Sequence, residues 1–197
     1  MRPGSRQVSR RRRLGAMAVA GFGLTAVSAP AFAQAAPFTV TSPAFADGGM
    51  LGRANAGGIF GTTNCGGGNL SPPLAWSNAP AATRTFAIVV SDPDGGEGLG
   101  SVHWVAYGIA SNVTSVAAGE GSQPSPAFVG GTNGRNLQTY FGPCPPPGEM
   151  PHHYHFSVFA LDIAAGELGP GLTRDALFAK IKGHILAQSS IIGRYAR

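Results

Sequence analysis

The sequence predicts a mainly β domain with mostly antiparallel strands and a few peripheral helices. Glycine and proline are frequent, with 30 and 16 residues respectively, and they are spread along the chain. This distribution favours many short strands joined by turns over a helical bundle. Several segments are rich in β-branched and aromatic residues, which are enriched in strands. Helical periodicity is clear in one segment near the C-terminus.

The clearest strands are predicted at residues 84–91, 103–109 and 154–161, and a weaker strand is predicted at residues 38–42. Each segment combines valine, isoleucine or threonine with aromatic residues. This composition suits a pleated and partly buried surface.

The helix predicted near the C-terminus has recognisable start signals. Thr173 suits the N-cap, and Asp175 suits the first turn, where a carboxylate interacts favourably with the helix dipole. Three apolar residues at helical spacing are expected to share one face: Leu177, Ile181 and Ile185. Gly183 weakens the end of this helix.

The first 33 residues are predicted to be an export signal. Residues 1–13 contain six arginines and no acidic residue, an apolar run follows, and residues 31–33 form an Ala-Phe-Ala cleavage signal. The apolar run is too short and too broken to span a bilayer comfortably. Residues 9–14 resemble the twin-arginine signal, although that pattern usually has phenylalanine where Arg13 stands, and an ordinary secretory signal is the alternative. We therefore predict one domain at residues 34–197 of an exported protein, either periplasmic or secreted.

The basic character of the chain belongs to its first segment. The whole sequence has 14 lysines and arginines against 9 acidic residues, a net charge of +5. Without the six arginines of residues 1–13, eight basic residues face nine acidic ones, and the net charge becomes −1. No basic surface then argues for nucleic acid, so this class of partner is excluded.

Two cysteines, Cys65 and Cys144, lie in the predicted domain. In an oxidising compartment such a pair suggests one disulfide that closes a long loop, worth about 4 kcal/mol in the chain-entropy view. Two unrelated buried thiols are the alternative.

Two carboxylates, Asp92 and Asp94, follow a strongly apolar strand and lead into a glycine-rich loop. The simplest interpretation is an Asx-type turn, in which aspartate side chains accept hydrogen bonds from nearby backbone amides. His103 opens the next predicted strand, where a lone histidine is usually a surface or satisfied core residue. Trp104, on the opposite face, is expected to anchor the core.

Three of the five histidines lie within residues 152–155, directly after a proline-rich turn. Because alternate side chains of a strand share a face, His152 and Tyr154 are expected to point one way, and His153 and His155 the other. A binding pocket would use the first pair, whereas a metal site would use the second pair with a further ligand. Two histidines are an incomplete ligand set without a recognised metal-binding spacing, so we predict no metal.

Four motifs follow one another with sensible gaps: CGGGNLSPPLAW at 65–76, DPD at 92–94, HWV at 103–105, and GPCPPPG with HHYHF within 142–156. Each motif is weak alone. In this order they resemble the phosphatidylethanolamine-binding protein family, in its bacterial Raf-kinase-inhibitor-like branch. The resemblance covers nearly all of the predicted domain.

The resemblance implies a β-sandwich-like domain with a small anion pocket at one end. The family's pocket positions correspond here to Asp92, Asp94, His103, Cys144, Pro145, His152 and Tyr154. The histidines and backbone amides suit a phosphate or phosphoryl headgroup, while the aspartates would orient the imidazoles or meet an ammonium group. His153 and His155 become ordinary strand positions. The resemblance also implies a disulfide between Cys65 and Cys144, which would fix one loop to the pocket turn.

Two departures from the family pattern bear on ligand size. Glycines replace the residues that usually follow the Asp-Pro-Asp motif, which predicts an open and mobile pocket wall. The connection from residues 134–136 to Tyr140 is also shorter than usual.

The resemblance implies a binding protein without enzymatic activity or cofactor, which holds a small anionic or phosphoryl ligand, and the predicted signal makes it an exported one. Any interaction with a partner protein would be modulated through the pocket. Membrane contact would be peripheral at most. The alternative is an inhibitor of a peptidase or other hydrolase. A hydrolase is the weakest hypothesis, because no GxSxG nucleophile is present and Cys144 would be bridged.

Overall fold

The structure, a computed structural model, describes residues 35–197. The export signal predicted at residues 1–33 lies outside the described residues. No helix within residues 35–197 is long and apolar enough to cross a membrane.

Strands make up most of the regular structure, and the fold class predicted from the sequence is confirmed. The strands are β1 (Thr39–Thr41), β2 (Gly49–Met50), β3 (Ile59–Phe60), β4 (Thr63–Asn64), β5 (Leu74–Ser77), β6 (Thr85–Asp92), β7 (Ser101–Ala110), β8 (Ser115–Val116), β9 (Val129–Gly131), β10 (His152–Leu161) and β11 (Ile185–Tyr195). Among the described residues there are also one α-helix, α1 (Arg174–Ile181), and three short 3-10 helices, Arg53–Asn55, Glu120–Ser122 and Ala165–Glu167.

A six-stranded sheet with the order β2-β11-β10-β6-β7-β9 forms the centre of the fold. Neighbouring strands pair antiparallel, except that β2 runs parallel to β11. The three strands predicted most clearly are β10, β6 and β7. Their β-branched and aromatic side chains are largely buried, which is the environment that favours those residue types in strands.

Apolar cores cover both faces of this central sheet. On one face, the small sheet β1-β5-β8 helps to enclose a core that includes Trp76, Phe86 and Trp104. On the other face, α1 contributes Leu177 and Ile181 to a second core. Successive residues of β6 alternate between the two cores, as a side-chain period of two requires. The arrangement is sandwich-like, as the resemblance implied.

Helix α1 begins as predicted but ends earlier. Thr173 is the N-cap, and its Oγ1 accepts a hydrogen bond of 3.3 Å from the Ala176 amide. Leu177 and Ile181 are buried. The prediction that Ile185 continues this helical face was wrong, because Ile185 is an exposed residue that opens β11. Gly183, with φ of +86°, lies between the two elements, and a left-handed glycine is a common way to leave a helix.

A disulfide joins Cys65 to Cys144, as the resemblance implied. The bridge spans 79 positions of the sequence and connects the segment before β5 to the loop before β10. Tyr140 adds a second link nearby, because its buried hydroxyl donates a hydrogen bond of 2.9 Å to the Asn55 carbonyl. Two segments that are distant in sequence are thereby held together on one side of the sheet.

Candidate ligand-binding pocket

A polar cavity of about 390 Å³ lies at one end of the central sheet. Strand β6 ends there, and its antiparallel neighbours β7 and β10 begin there, so residues distant in sequence meet at one edge. All seven residues predicted for the pocket line this cavity: Asp92, Asp94, His103, Cys144, Pro145, His152 and Tyr154. Their role in binding a ligand remains a prediction.

Asp92 serves the turn and the cavity with different oxygens. Its Oδ1 accepts hydrogen bonds of 2.9 and 3.1 Å from the amides of Asp94 and Gly95, which is the Asx-type turn predicted from the sequence. Its Oδ2 accepts a hydrogen bond of 2.8 Å from His152 Nδ1 and lies 3.9 Å from His103 Nε2. Asp92 as a whole residue is 3% exposed, so these bonds largely replace the water that its carboxylate loses on folding.

The glycine-rich loop after Asp92 is internally hydrogen-bonded. The Gly95 carbonyl accepts from the amides of Gly98 and Gly100, at 3.2 and 2.9 Å, and Leu99 donates to the Gly96 carbonyl. A Cβ at Gly95 would lie 2.9 Å from Asp92 Oδ2 and 2.8 Å from the Ser101 hydroxyl oxygen. A side chain at position 95 would therefore force Asp92 or Ser101 to move, and glycine permits the close approach of the loop to Asp92.

His152 lies between two carboxylates. Its Nδ1 donates to Asp92 Oδ2 at 2.8 Å, and its Nε2 donates to Glu149 Oε2 at 2.9 Å. Carboxylates only accept, so both ring nitrogens carry hydrogen and the ring is an imidazolium cation. Burial by itself lowers the pKa of His152, but the hydrogen bonds to Asp92 and Glu149 outweigh burial and raise it. His152 therefore supplies a buried positive charge that is already neutralised by its neighbours.

His103 has the opposite character. Its Nδ1 donates a hydrogen bond of 2.7 Å to the Phe141 carbonyl, which leaves Nε2 as the other nitrogen of the ring. Burial lowers the pKa of His103, despite that bond and the nearby Asp92. The neutral ring is packed between the rings of Phe141 and Tyr154, with centroid distances of 5.8 and 5.1 Å. His103 thus offers the cavity an unprotonated Nε2, which can accept a hydrogen bond.

The Tyr154 hydroxyl is buried, and within residues 35–197 no group forms a well-aligned hydrogen bond with it, although the Asp92 carboxylate lies close enough to interact with its proton. The residue lines the cavity and is 1% exposed. Burial, reinforced by the nearby Asp92 carboxylate, raises the pKa of Tyr154, so the phenol keeps its proton. A buried hydroxyl that lacks a partner is costly, and here it belongs to a residue on the wall of a cavity.

The strand alternation predicted for residues 152–155 is confirmed, because His152 and Tyr154 are buried whereas His153 is exposed. His153 nevertheless has a specific partner. Asp94 Oδ2 accepts from the His153 amide at 2.8 Å and from its Nδ1 at 2.9 Å, and these bonds lower the pKa of Asp94. Of the two aspartates, Asp92 therefore orients a cavity imidazole, while Asp94 ties the turn to the outer face of β10.

Arg135 and Glu149 are among the charged residues of the cavity that were not singled out from the sequence. The Arg135 guanidinium lies over the rings of Phe60 and Phe141, 5.0 and 4.9 Å from their centroids, a cation–π geometry. Glu149, in the turn before β10, accepts from His152. Neither residue belongs to a motif of its own, and only the folded chain shows that they border the same space as His152.

The cavity has mixed charge. Its lining includes four carboxylates and two cationic side chains: Asp92, Asp94, Glu97, Glu149, Arg135 and protonated His152. Cys144 and Pro145 form part of the wall, where the disulfide fixes the turn. Within residues 35–197, no group of three or more histidine, cysteine, aspartate or glutamate side chains is arranged to hold a metal ion.

Comparisons with known proteins agree on one family. Residues 41–196 match the family model described as phosphatidylethanolamine-binding protein. The chain is 42% identical over 133 residues to the UPF0098 protein YbcL of Escherichia coli K12, which covers 66% of this chain and 71% of that relative. It is 39% identical over 173 residues to "Putative lipoprotein LppC" of Mycobacterium tuberculosis H37Rv, and the alignment covers 87% of this chain and 79% of that relative. The crystal structure of E. coli YbcL, described as a new member of the mammalian PEBP family, matches with a TM-score of 0.74 and 32% identity over 82% of this chain and 99% of that chain.

Proposed function

The chain belongs to the phosphatidylethanolamine-binding protein family, and from this membership we propose that it is a non-enzymatic binding protein whose cavity holds the phosphoryl group of a small ligand. In this proposal the phosphoryl oxygens meet hydrogen-bond donors of the cavity wall. The ligand is a small phosphorylated molecule, with a phospholipid headgroup as one source of that chemistry.

The observation that carries the proposal is the unpartnered hydroxyl of Tyr154. Nearly all buried polar groups in proteins have a hydrogen-bond partner, and this one belongs to a residue that lines a polar cavity. Because the pKa of Tyr154 is raised, the hydroxyl is a donor at neutral pH. A phosphoryl oxygen would supply the missing acceptor once a small shift of the cavity wall exposes the hydroxyl.

Arg135 supports a phosphoryl ligand from the rim of the cavity. Its guanidinium is supported by the faces of Phe60 and Phe141, so less side-chain entropy is lost when it binds. A planar guanidinium offers two parallel donors to phosphate oxygens. Arg135 is therefore the group that we expect to contact the phosphoryl oxygens from the mouth.

The surrounding carboxylates favour a ligand that also carries a positive charge. A bare phosphate would meet the four carboxylates of the lining, and like charges at close range are unfavourable. An ammonium group attached to the phosphoryl group would pair with one of them. We therefore expect O-phosphoethanolamine to bind more tightly than inorganic phosphate.

Catalytic turnover is not part of the proposal. Cys144, the cysteine of the cavity wall, is held in a disulfide, which removes it as a nucleophile. His103 Nδ1 donates to a backbone carbonyl rather than to a carboxylate, so this ring lacks the acidic partner that orients the base of a nucleophile–histidine pair. His152 has both nitrogens protonated, and a protonated ring cannot act as a base.

Export to an oxidising compartment belongs to the same proposal. The disulfide supports it, because structural disulfides persist outside the reducing cytosol. The Mycobacterium tuberculosis relative carries the name "Putative lipoprotein LppC". A partner protein that senses whether the cavity is filled would bind at its rim.

The test is an NMR titration of the purified protein near neutral pH, with inorganic phosphate and O-phosphoethanolamine, following the histidine ring signals. We expect saturable shifts of the His103 and His152 rings, and tighter binding of O-phosphoethanolamine. The His184 ring, which is paired with Asp162 and does not line the cavity, serves as the internal control. If neither compound moves the cavity rings, or if all rings shift together without saturation, the proposal fails.

A further inference from the structure

Glu149 occupies the remaining donor of the cavity's buried imidazolium. His152 uses Nδ1 to bind Asp92 and Nε2 to bind Glu149, at 2.8 and 2.9 Å. The two carboxylates differ in setting, because the Asp92 side chain is 4% exposed and the Glu149 side chain is 52% exposed. The bond to Asp92 is therefore buried, whereas the bond to Glu149 is made by a side chain that can rotate into solvent.

We propose that the Glu149 carboxylate is an internal ligand of the cavity. One of its oxygens binds His152 Nε2 in the place that a phosphoryl oxygen would take, and it must be displaced when a phosphorylated ligand binds. This inference rests on the proposed function, and it adds a residue that sets affinity and selectivity. A carboxylate and a phosphoryl group present the same chemistry to an imidazolium, namely an anionic oxygen that accepts a charge-assisted hydrogen bond.

The turn that carries Glu149 allows this exchange without a change of fold. Gly148 has φ of +84° and open space around the position of a Cβ. Its amide donates to the Arg197 carbonyl at 3.3 Å, and the Glu149 amide donates to the Pro146 carbonyl at 3.4 Å. The backbone of the turn is tied at both points, so displacement requires only rotation of the half-exposed Glu149 side chain.

The exchange makes the cavity selective. A displaced Glu149 carboxylate remains close to the bound group, because its backbone stays in place. Beside inorganic phosphate the displaced carboxylate is a negative charge that repels the ligand, whereas an ammonium group on O-phosphoethanolamine can pair with it. Removal of the Glu149 charge is therefore expected to help phosphate more than O-phosphoethanolamine.

The test is isothermal titration calorimetry of the purified protein with both compounds, comparing the parent with Glu149→Gln and Glu97→Gln. Glu97 is the matched control, because it lines the same cavity and its replacement removes the same charge. Within residues 35–197 the His152 ring is hydrogen-bonded to Asp92 and Glu149 and not to Glu97. We expect E149Q to bind phosphate about tenfold more tightly, the scale of one charge-assisted hydrogen bond. We expect E97Q to change that affinity by less than about twofold, and the preference for O-phosphoethanolamine to shrink in E149Q.

The outcomes separate this inference from the proposed function. Binding of phosphate by E149Q when the parent binds none detectably would support displacement. Equal affinities of parent and E149Q, or equal tightening in E97Q, would overturn the role of Glu149 and leave the proposed function standing. Weaker binding by E149Q would also overturn it, because Glu149 would then contribute to the ligand site. Failure of both parent and E149Q to bind either compound would overturn the inference together with the proposed function.

Discussion

Asp92 and His152 are joined side chain to side chain by a hydrogen bond of 2.8 Å, although they lie 60 positions apart in the sequence. The bond connects the last residue of β6 to the first residue of β10. Since the other oxygen of Asp92 closes the Asx turn, one buried carboxylate fixes both the loop and the imidazolium. The geometry of the cavity thus depends on Asp92 more than on any residue at its rim.

Asp92→Asn is expected to lower the free energy of unfolding by about 2 kcal/mol, because it removes the acceptor of a buried, charge-assisted hydrogen bond. Asp94→Asn is the matched control. Asp94 is exposed and its partner His153 is exposed, so this change should cost less than about 1 kcal/mol. Urea unfolding followed by circular dichroism measures both. Equal losses in the two variants would contradict the central role of Asp92.

The pH dependence of stability should carry the mark of His152. Its pKa in the folded protein is raised above the ordinary value of 6.5, so the folded state holds this proton more tightly than the unfolded state does. The resulting stabilisation is fully present below pH 6.5 and is lost as pH rises through the folded-state pKa. Urea unfolding over this range should show the loss in the parent and not in His152→Gln. A parallel pH dependence in the variant would assign the effect to other groups.

His103 should act in the opposite direction. Burial lowers its pKa below 6.5, so the neutral ring is favoured in the folded protein. Its contribution to stability is fully present above pH 6.5 and is lost as pH falls below that value. Nitrogen-15 NMR of the ring should show hydrogen on Nδ1, which donates to the Phe141 carbonyl, and a titration midpoint below that of His152. Titration of the two rings at the same pH would refute this assignment.

Tyr154 and Tyr140 offer a comparison of two buried hydroxyls. Tyr140→Phe removes a hydrogen bond to the Asn55 carbonyl and should lower the free energy of unfolding by about 1–2 kcal/mol. Tyr154→Phe removes a hydroxyl that makes no well-aligned hydrogen bond within residues 35–197 and has only the Asp92 carboxylate close to it, so the ligand-free protein should change by less than about 1 kcal/mol. Tyr154→Phe should also weaken binding of O-phosphoethanolamine. Thermal unfolding with calorimetric titration tests both points, and unchanged affinity in Tyr154→Phe would count against a contact between its hydroxyl and the ligand.

The disulfide should contribute strongly to stability. Replacing both cysteines, as Cys65→Ala with Cys144→Ala, removes a cross-link over 79 positions and is expected to cost about 2–5 kcal/mol of unfolding free energy. Denaturant unfolding with and without a reductant measures the effect. Reductant should destabilise the parent and leave the double variant unchanged. A parent that is insensitive to reductant, despite complete reduction confirmed by mass spectrometry, would disprove the expectation.

Much of the site could be predicted because its signals are local. The alternation of a strand separates His152 and Tyr154 from His153 without any knowledge of the fold. The segments that form β6, β7 and β10 are rich in apolar, β-branched and aromatic residues, so their strand conformation could be predicted from composition. The assignment of Asp92 and His103 to the same pocket came from family resemblance, because no local pattern brings the end of one strand to the start of another.

The parts that could not be predicted depend on tertiary contacts. Ile185 stands four residues after Ile181, a helical spacing, but it lies beyond the left-handed Gly183 and pairs with Leu161 of β10. Strand β11 also contains the polar run Gln188-Ser189-Ser190, which hides its strand character, and pairing with β10 overrides this weak propensity. Arg135 is recognisable only through the two aromatic rings beneath it.

The close approach at Gly95 has a consequence for variation in the loop. An alanine there would carry its methyl group into Asp92 Oδ2 and the Ser101 hydroxyl, so the carboxylate would have to turn away from His152 or the loop would have to lift. Gly98 has open space around it, and only its φ of +84° restricts substitution. The two glycines thus matter for different reasons. Gly98 provides a left-handed backbone conformation, and Gly95 leaves out the Cβ that would contact Asp92 and Ser101. If the carboxylate turns away, a change at position 95 removes the hydrogen bond that raises the pKa of His152, a residue on another strand.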